Sequence, residues 1–416
     1  MRSKFSLISS GYCLWTLVLA MSLVLLMAIP RSWFLDKFSI TTTTIEIIQS
    51  PLILPSKGQG FPPVLAYWIS GTDGDSTRIL RLLKAIYHPR NQYLLHLDSE
   101  ASEQERGDLV LLVESESTFR AFGNVNVVGR SYAINQMGAS ALSAVLHAAA
   151  LLLKLRTDWD WFINLSASDY PLVTQDDILH AISSLPRDLN LIDYANISDW
   201  KERRNINQIV VDPSLHLQKK SHLFYAVETR TEPDAFEIYG GSPRVFLTRS
   251  FMEYCIQGWD NLPRKLLMYF SNTASPIDYY FHTVLCNSPE FRNTTLKTDL
   301  RFNILQSSAE DGEGSPFDRM LNSQAAFARP FREGNPVLDM IDEHVLNRVP
   351  NGVVPGKWCL DDEMRNDTES STAEKNPCSS SWGNIDVLNP GSYGTKLGLA
   401  LSKLYNERKQ ENQCDP

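Results

Sequence analysis

Apolar and polar positions alternate in blocks from about residue 63 onward, and these blocks predict strands and helices in turn. Short apolar runs predict strands at 63–70, 93–98 and 124–129. Apolar residues at helical spacing predict a helix over 75–88, with these four on one face: Ile79, Leu82, Leu83 and Ile86. Strands that alternate with helices are typical of an α/β domain.

The same alternation continues through the middle of the chain. The predicted elements are, in order, a long buried helix at 139–155, a strand opening at 159, a helix starting at a Thr174–Asp177 capping-box variant, a strand at 189–195, and a strand feeding a helix within 243–262. We therefore expect a mostly parallel sheet with flanking helices. Residues 351–416 have few apolar runs and are expected to be loops packed on the domain.

One predicted strand ends in polar residues at a place where ligands often bind. The stretch WDWFINLSASDYPL (159–172) carries an apolar run into Ser166, Ser168 and Asp169. Open α/β sheets bind ligands at the carboxyl ends of their strands, so Asp169 is a candidate for contact with a substrate. The alternative is that Asp169 and Pro171 only form the turn into the next element.

An uncharged apolar segment at 11–30 has the length of a transmembrane helix. No convincing signal-peptide cleavage site follows it, so we interpret it as an uncleaved anchor between a cytoplasmic tail (1–10) and a stem (31–61). Nearly all of the chain follows the anchor and carries sequons. This arrangement predicts a type II membrane protein whose domain at 62–350 lies in the lumen.

Cysteines and sequons fit an oxidising, secretory compartment. Cys359 and Cys378 bracket a polar loop and are expected to form a disulfide, and the odd number of luminal cysteines leaves at least one unpaired. Candidate glycosylation sites are Asn196, Asn293 and Asn366, whereas the sequon at Asn164 lies in a strand that should be buried.

Composition and missing motifs narrow the function. The net charge is −9, which argues against a nucleic-acid partner. The sequence has no glycine fingerprint for dinucleotides, no Walker A motif and no nucleophile elbow, which argues against dehydrogenases, kinases and hydrolases. An acidic luminal α/β domain on a membrane stem suggests sugar transfer.

Sugar transfer needs a base for the acceptor hydroxyl and a counter-charge for the departing diphosphate. Two acidic pairs have the Asp-x-Asp spacing of metal-dependent enzymes, Asp73/Asp75 and Asp158/Asp160, but both are better interpreted as turn and cap residues. A third candidate is Asp278 in NTASPIDYYFHTVLCN (272–287). Its spacing from Ser275 also allows a plain capping box.

Several long stretches, in order, carry a resemblance to a known family. They include AYWISGTDGDSTRILRLLKAIYHPRNQYLLHLD, DWFINLSASDYPLVTQDDILHAI, RSFMEYCIQGWDNLPRKLLMYFSNTASP and YFHTVLCNSPEFRNTT. Over roughly residues 62–350 the chain resembles the plant members of the core-2/I-branching glycosyltransferases (family 14), most closely β-glucuronosyltransferases that act on arabinogalactan proteins. The resemblance implies a GT-A-like fold and inverting transfer from a UDP-sugar without a metal.

The resemblance also implies roles for individual residues. Asp278 stands where the family has a Glu as general base, one methylene longer. The implied donor-binding residues are Asp98 for uridine and the pair Arg319 and Arg329 for the diphosphate. The implied acceptor-binding residues are Asp193, Lys201 and Arg204, with Asp169 at the sheet edge. Arg244 replaces the Trp that plant relatives usually carry, which predicts an altered sugar subsite.

The sequence thus predicts a Golgi type II enzyme that transfers glucuronic acid from UDP-glucuronate to galactose of type II arabinogalactan. Its partners would be the UDP-sugar, a galactan acceptor on glycoproteins and, through the anchor, the membrane. Transfer of N-acetylglucosamine or xylose by the same machinery stays open. A catalytically weak, carbohydrate-binding paralogue is the alternative from another class.

Overall fold

A computed structural model describes residues 54–408, except 59, 157, 197–205, 218, 259, 306–314, 361–377 and 379–381, and also describes residue 414. The predicted anchor at 11–30 lies outside these residues. Within them, no helix is long and apolar enough to cross a membrane. Lys201, Arg204 and Asn366 also lie outside the described residues.

The described residues form strands and helices in alternation. The strands are β1 (Leu65–Gly71), β2 (Gln92–Leu97), β3 (Val125–Val127), β4 (Trp161–Ser166), β5 (Tyr170–Pro171), β6 (Asn190–Leu191), β7 (Tyr194–Asn196), β8 (Gln208–Val211), β9 (Phe224–Thr229), β10 (Tyr239–Gly241), β11 (Phe246–Thr248), β12 (Thr295–Leu296), β13 (Arg301–Asn303) and β14 (Phe327–Arg329). The helices are α1 (Ser76–Ala85), α2 (Glu103–Ser115), α3 (Ser117–Phe122), α4 (Ala139–Leu155), α5 (Gln175–Ser183), α6 (Arg249–Gln257), α7 (Asn261–Phe270), α8 (Tyr280–Asn287), α9 (Pro316–Asn322), α10 (Val337–His344) and α11 (Ser392–Arg408).

The main sheet has seven strands in the order β12-β6-β11-β4-β1-β2-β3. Strands β4, β1, β2 and β3 are parallel neighbours, and β12 is parallel to β6. Strand β11 is antiparallel to both of its neighbours. The sheet is therefore mixed, not purely parallel.

Helices cover both faces of this sheet because side chains alternate along each strand. Leu65, Tyr67 and Ile69 of β1 enter a core that includes residues of α1, α5, α10 and α11. Ala66 and Trp68 point the other way, into a core with α4, α6, α7 and α8. The result is a three-layer α/β/α domain.

Most predicted elements are confirmed, with shifted ends and two differences. Helix α4 spans 139–155 as expected, and Thr174 and Asp177 form the capping box of α5. The run at 189–195 is not one strand, because its two halves pair in different sheets as β6 and β7. The expectation of loops beyond 351 is wrong: α11 packs Leu397 and Leu401 into the core. Glycine and leucine alternate at Gly394, Leu397, Gly398 and Leu401 on its packed face, so the sequence shows no continuous apolar stripe.

Disulfides link the C-terminal part of the chain. The expected Cys359–Cys378 bond is present, and a second bond joins Cys286 of α8 to Cys414. Cys255 is buried and unpaired.

Candidate active site

Asp98 and Asp169 lie on either side of β1 at the carboxyl ends of the parallel strands. Asp98 directly follows β2, and its N–H donates to the carbonyl of Gly71 at 3.0 Å. Asp169 follows β4 on the other side of β1. Two inter-strand spacings separate β2 from β4, or roughly 10 Å. The topology thus brings two of the expected site residues to one edge.

Asp98 has a carboxylate oxygen available to a ligand. The residue is buried, and its Oδ1 accepts from the N–H of Glu100 at 2.9 Å. Its Oδ2 is buried and has no hydrogen-bond partner among the described residues. Burial raises the pKa of Asp98 to about 6. A donor from a bound ligand would satisfy this oxygen.

Asp169 is hydrogen-bonded through Oδ2, whereas its buried Oδ1 has only ion-pair neighbours among the described residues. The N–H and the hydroxyl of Ser166 each donate to Oδ2 at 2.6 Å. The Nε atoms of Arg329 and Arg301 lie 3.4 and 3.9 Å from Oδ1. Burial alone would raise the pKa of Asp169, but the charges of Arg244, Arg301 and Arg329 outweigh it and lower the pKa. Asp169 therefore acts as a buried anion that holds arginines in place.

A small sheet that the sequence analysis did not anticipate delivers two of these arginines. Strand β5 pairs antiparallel with β14, and β14 pairs parallel with β13. Arg329 ends β14 and Arg301 begins β13, so both reach the turn that contains Asp169. Pairing of three short strands distant in sequence leaves no local pattern to detect.

Arg301 is the main site residue that the sequence analysis missed. Its guanidinium is buried, donates to the carbonyls of Asp299 at 2.8 Å and Asn164 at 3.0 Å, and lies over the rings of Phe246 and Phe327. Burial lowers its pKa to about 10. The one available signal was an arginine inside the apolar run LRFNIL.

Asp278 ends a short 3-10 helix (Pro276–Asp278) that leads into α8. Its N–H donates to the main-chain carbonyl of Ser275 at 2.9 Å, and Ser275 adopts a left-handed φ of 47°. The Ser275 hydroxyl makes no capping hydrogen bond. The capping-box interpretation is therefore wrong, and the carboxylate is not used to start the helix.

The carboxylate of Asp278 is half-buried and unengaged. It forms no hydrogen bond or ion pair with any residue in the described part of the chain. Burial raises its pKa to about 6, and the charge of Arg244 partly opposes the rise. A carboxylate with a raised pKa and open lone pairs is suited to accept a proton from a substrate.

The two remaining expected site residues in the described part of the chain, Asp193 and Arg319, lie in different segments. Asp193 lies at the surface between β6 and β7, where partial burial and the charge of Asp299 raise its pKa. The main-chain carbonyl of Asp193 would lie 2.0 Å from a Cβ at Gly241, so Asp193 packs closely against β10. Arg319 is half-buried on α9. The structure describes no contact that joins Asp98 or Arg319 to Asp278.

The described sequons lie in different parts of the fold. Asn293 is exposed in the loop before β12, and Asn196 ends β7. Asn164 is buried, with its amide bonded to the carbonyl of Pro243 at 2.8 Å and the N–H of Val245 at 2.9 Å. This Asn is a structural residue of β4.

One member of each Asp-x-Asp pair is held by hydrogen bonds within the protein. Asp160 accepts from the N–H of Val64 at 2.7 Å and from Arg187 at 3.0 Å. Asp75 lies at the N-cap position of α1, but its carboxylate binds Thr72 and Arg78 and caps no helical N–H. No group of three or more His, Cys, Asp or Glu side chains in the described ranges is placed to hold a metal ion.

Residues 65–317 match the family model of the Core-2/I-branching enzyme, which is more than half of the 416-residue chain. The chain therefore belongs to the Core-2/I-branching enzyme family, and it is a glycosyltransferase.

Curated relatives agree. The chain is 45% identical to β-glucuronosyltransferase GlcAT14A of Arabidopsis thaliana, over 85% of this chain and 78% of the relative. It is 48% identical to GlcAT14C of the same plant, over 70% and 76% of the two chains. Human xylosyltransferase 1 is more distant, with 32% identity over 58% of this chain and 24% of the relative.

A solved structure of the bifunctional glycosyltransferase WbbM without ligand covers 70% of this chain and 51% of its own, at 11% identity and a TM-score of 0.35. At that score the likeness supports no inference.

Proposed function

We propose that this enzyme transfers glucuronic acid from UDP-glucuronate to galactose of type II arabinogalactan, with inversion at the anomeric carbon. The donor is supported by the names of the relatives that are 45% and 48% identical over most of the chain. The observation that carries the reaction type is the unengaged carboxylate of Asp278, whose pKa is raised to about 6 beside Arg244.

Asp278 acts as the general base in this proposal. It takes the proton of the acceptor hydroxyl while the hydroxyl oxygen forms a bond to C1 of the sugar. The bond between C1 and the phosphate oxygen breaks with its electron pair, and UDP departs. A pKa near 6 leaves the carboxylate ionised near neutral pH, yet basic enough to accept the proton in the transition state.

The other site residues bind the two substrates. Asp98 would accept from the uridine through its free Oδ2, and Arg319 with Arg329 would neutralise the diphosphate. Arginine suits this task because its forked donors match phosphate oxygens. Asp193, Lys201 and Arg204 would bind the acceptor. Asp169 would position Arg329 through their ion pair.

Catalysis without a metal is part of the proposal. Asp169 lies at the sheet edge where GT-A-type enzymes place metal-binding carboxylates. Its Oδ2 accepts two hydrogen bonds from Ser166, and its Oδ1 faces Arg301 and Arg329 at ion-pair distance. The cationic surroundings of Asp169 would also repel a divalent cation. Activity in the presence of EDTA tests this point, and loss of activity that Mn²⁺ restores would contradict it.

We further propose a GT-A-like fold and Golgi localisation with the domain in the lumen. The seven-stranded mixed sheet with its site at the carboxyl ends of β2 and β4 supports the first. The apolar segment at 11–30 and the two disulfides support the second. Membrane association that resists carbonate extraction and is lost on deletion of residues 1–53 would support the anchor. Processing of the N-linked glycans of the protein to Golgi-type, endoglycosidase H-resistant forms would support the compartment.

A donor screen tests the proposed activity. Purified luminal domain is incubated with a β-galactan acceptor and UDP-glucuronate, UDP-xylose or UDP-N-acetylglucosamine, and incorporated sugar is measured. We expect incorporation from UDP-glucuronate and a roughly 10²–10⁴-fold loss in Asp278→Asn. Incorporation of xylose alone would favour the activity named for the distant relatives, and absence of turnover with every donor would favour a carbohydrate-binding protein.

A further inference from the structure

Arg244 is held in place by a buried clamp on both of its neighbours. The side-chain amide of Asn164 donates to the carbonyl of Pro243 at 2.8 Å, and its oxygen accepts from the N–H of Val245 at 2.9 Å. The main-chain carbonyl of Asn164 accepts from Arg301 at 3.0 Å. One residue of β4 therefore fixes the backbone around Arg244 and the guanidinium of Arg301 together. Such rigid support is typical of residues that position a ligand.

Arg244 differs from Arg301 and Arg329 because it forms neither a hydrogen bond nor an ion pair through its guanidinium with a described residue. Arg301 donates to two main-chain carbonyls, and Arg329 pairs with Asp169. The Nε atoms of all three arginines are buried without a hydrogen-bond acceptor. Burial lowers the pKa of Arg244, while Asp169 and Asp278 oppose this from a distance. Buried donors left open are costly unless a ligand fills them.

The position of Arg244 identifies the part of the substrate it can reach. A Cβ at Gly241 would lie 3.0 Å from Nε2 of His282 in α8, so the segment that carries Arg244 passes the start of this helix, which Asp278 precedes. The charge of Arg244 acts on Asp278 accordingly. In an inverting displacement the base stands next to the acceptor oxygen and the anomeric carbon. The sugar being transferred is therefore the nearest part of the donor, and the diphosphate leaves on the opposite side.

We propose that Arg244 binds the carboxylate of the transferred uronic acid and thereby selects an acidic over a neutral donor sugar. This inference rests on the proposed function. A planar carboxylate matches the guanidinium fork and would meet the donors that the protein leaves open. The carboxylate of the sugar would then lie against Arg244 and would not contact Asp278.

The test is the ratio of kcat/KM for UDP-glucuronate to that for UDP-glucose. We expect Arg244→Met to lower this ratio roughly 10- to 100-fold, the effect of losing a charge-assisted hydrogen bond. Arg244→Lys keeps the charge but loses the fork, so its ratio should fall between the other two. Any change in the pKa of Asp278 affects both donors alike and leaves the ratio unchanged. The exposed Arg264→Met serves as the matched control and should keep the wild-type ratio.

Two further measurements make the outcome decisive. Calorimetry with UDP shows that each variant retains a folded donor site, and the affinity of UDP-glucuronate relative to UDP should fall in Arg244→Met. Equal losses on both donors, or weakened binding of UDP itself, would overturn the inference in favour of a diphosphate contact. If the wild-type enzyme does not use UDP-glucuronate, the proposed function fails first, and the variants need not be compared.

Discussion

At the scale of single residues, burial sets apart two carboxylates that carry no local signal of their own. Asp98 and Asp278 both have a pKa raised to about 6 by burial, whereas the arginines around Asp169 lower its pKa. The same side chain is thus suited to accept a proton in one place and to act as a structural anion in another. The spacing of residues along the chain does not distinguish the roles of these three aspartates.

The raised pKa of Asp278 predicts the acid limb of the pH profile. As pH falls through about 6, Asp278 becomes protonated and kcat/KM should decline at least tenfold per pH unit, since Asp98 titrates in the same range. The measurement is kcat/KM between pH 4.5 and 8. Asp98→Asn is the control, since it should weaken UDP binding but leave the limb near pH 6. A profile flat down to pH 5 would remove Asp278 from the role of base.

Asp98 predicts a pH-dependent gain in stability on substitution. The native carboxyl titrates near 6 and the ordinary value is 3.8, so between these values the native state binds more protons than the unfolded state. The free energy of unfolding therefore falls as pH rises through this window. Asp98→Asn should raise it by on the order of 1–2 kcal/mol at pH 7.5. Urea titrations at pH 7.5 and pH 4 check this, and the gain should shrink at the lower pH.

At the scale of elements, short strands and close helix contacts place the site. Strands β5, β13 and β14 contain two or three residues each, yet they bring Arg301 and Arg329 to Asp169. Helix α11 is another such case, because glycines rather than a continuous apolar stripe bring it against α5. Gly394 contacts Asp177, and Gly398 faces Ala181.

These glycines give a matched pair of substitutions. A Cβ at Gly394 would lie 2.4 Å from the carboxylate and 2.8 Å from the Cα of Asp177, so Gly394→Ala should force α11 away. A Cβ at Gly398 would meet Ala181 at 3.5 Å, an ordinary contact, and alanine favours the helix. We expect Gly394→Ala to lower the thermal midpoint by several degrees, roughly 1–3 kcal/mol. Gly398→Ala should leave it unchanged or raise it, and equal effects would contradict the proposed packing.

At the scale of the whole molecule, two disulfides constrain the C-terminal part of the chain. One joins it to α8, and the other closes a loop within it. The Cys286–Cys414 bond closes a separation of 128 residues, and the Cys359–Cys378 bond one of 19. The loss of chain entropy in the unfolded state grows with loop length. The longer bond should therefore stabilise the enzyme more.

Single serine substitutions compare the two bonds. On the chain-entropy account, Cys414→Ser should reduce the free energy of unfolding by about 1–2 kcal/mol more than Cys378→Ser. Guanidinium denaturation of the protein without residues 1–53 gives both values. Because Cys255 is unpaired, alkylation of this protein, unfolded but not reduced, should label one thiol, which verifies the pairing. Equal losses would indicate that local packing, rather than loop length, sets the contribution.

Several larger elements before residue 185 could be predicted from the sequence alone, because short-range periodicity determines them. The helix at 139–155, the capping box at Thr174 and the run of strands before residue 170 depend on neighbours within a few positions. The family could also be recognised from the sequence, since long motifs in a fixed order can be compared without knowledge of contacts. Asp98, Asp169 and Asp278 could thus be named in advance as candidates.

What these candidates do was decided only by the tertiary structure. The ion pairs of Asp169, the open Oδ2 of Asp98 and the absence of a cap at Ser275 all depend on which distant segments meet. Arg301 and Arg244 acquire their importance in the same way, through burial beside β4. Burial and Coulomb energy depend on distance in space, and a linear pattern records only distance along the chain.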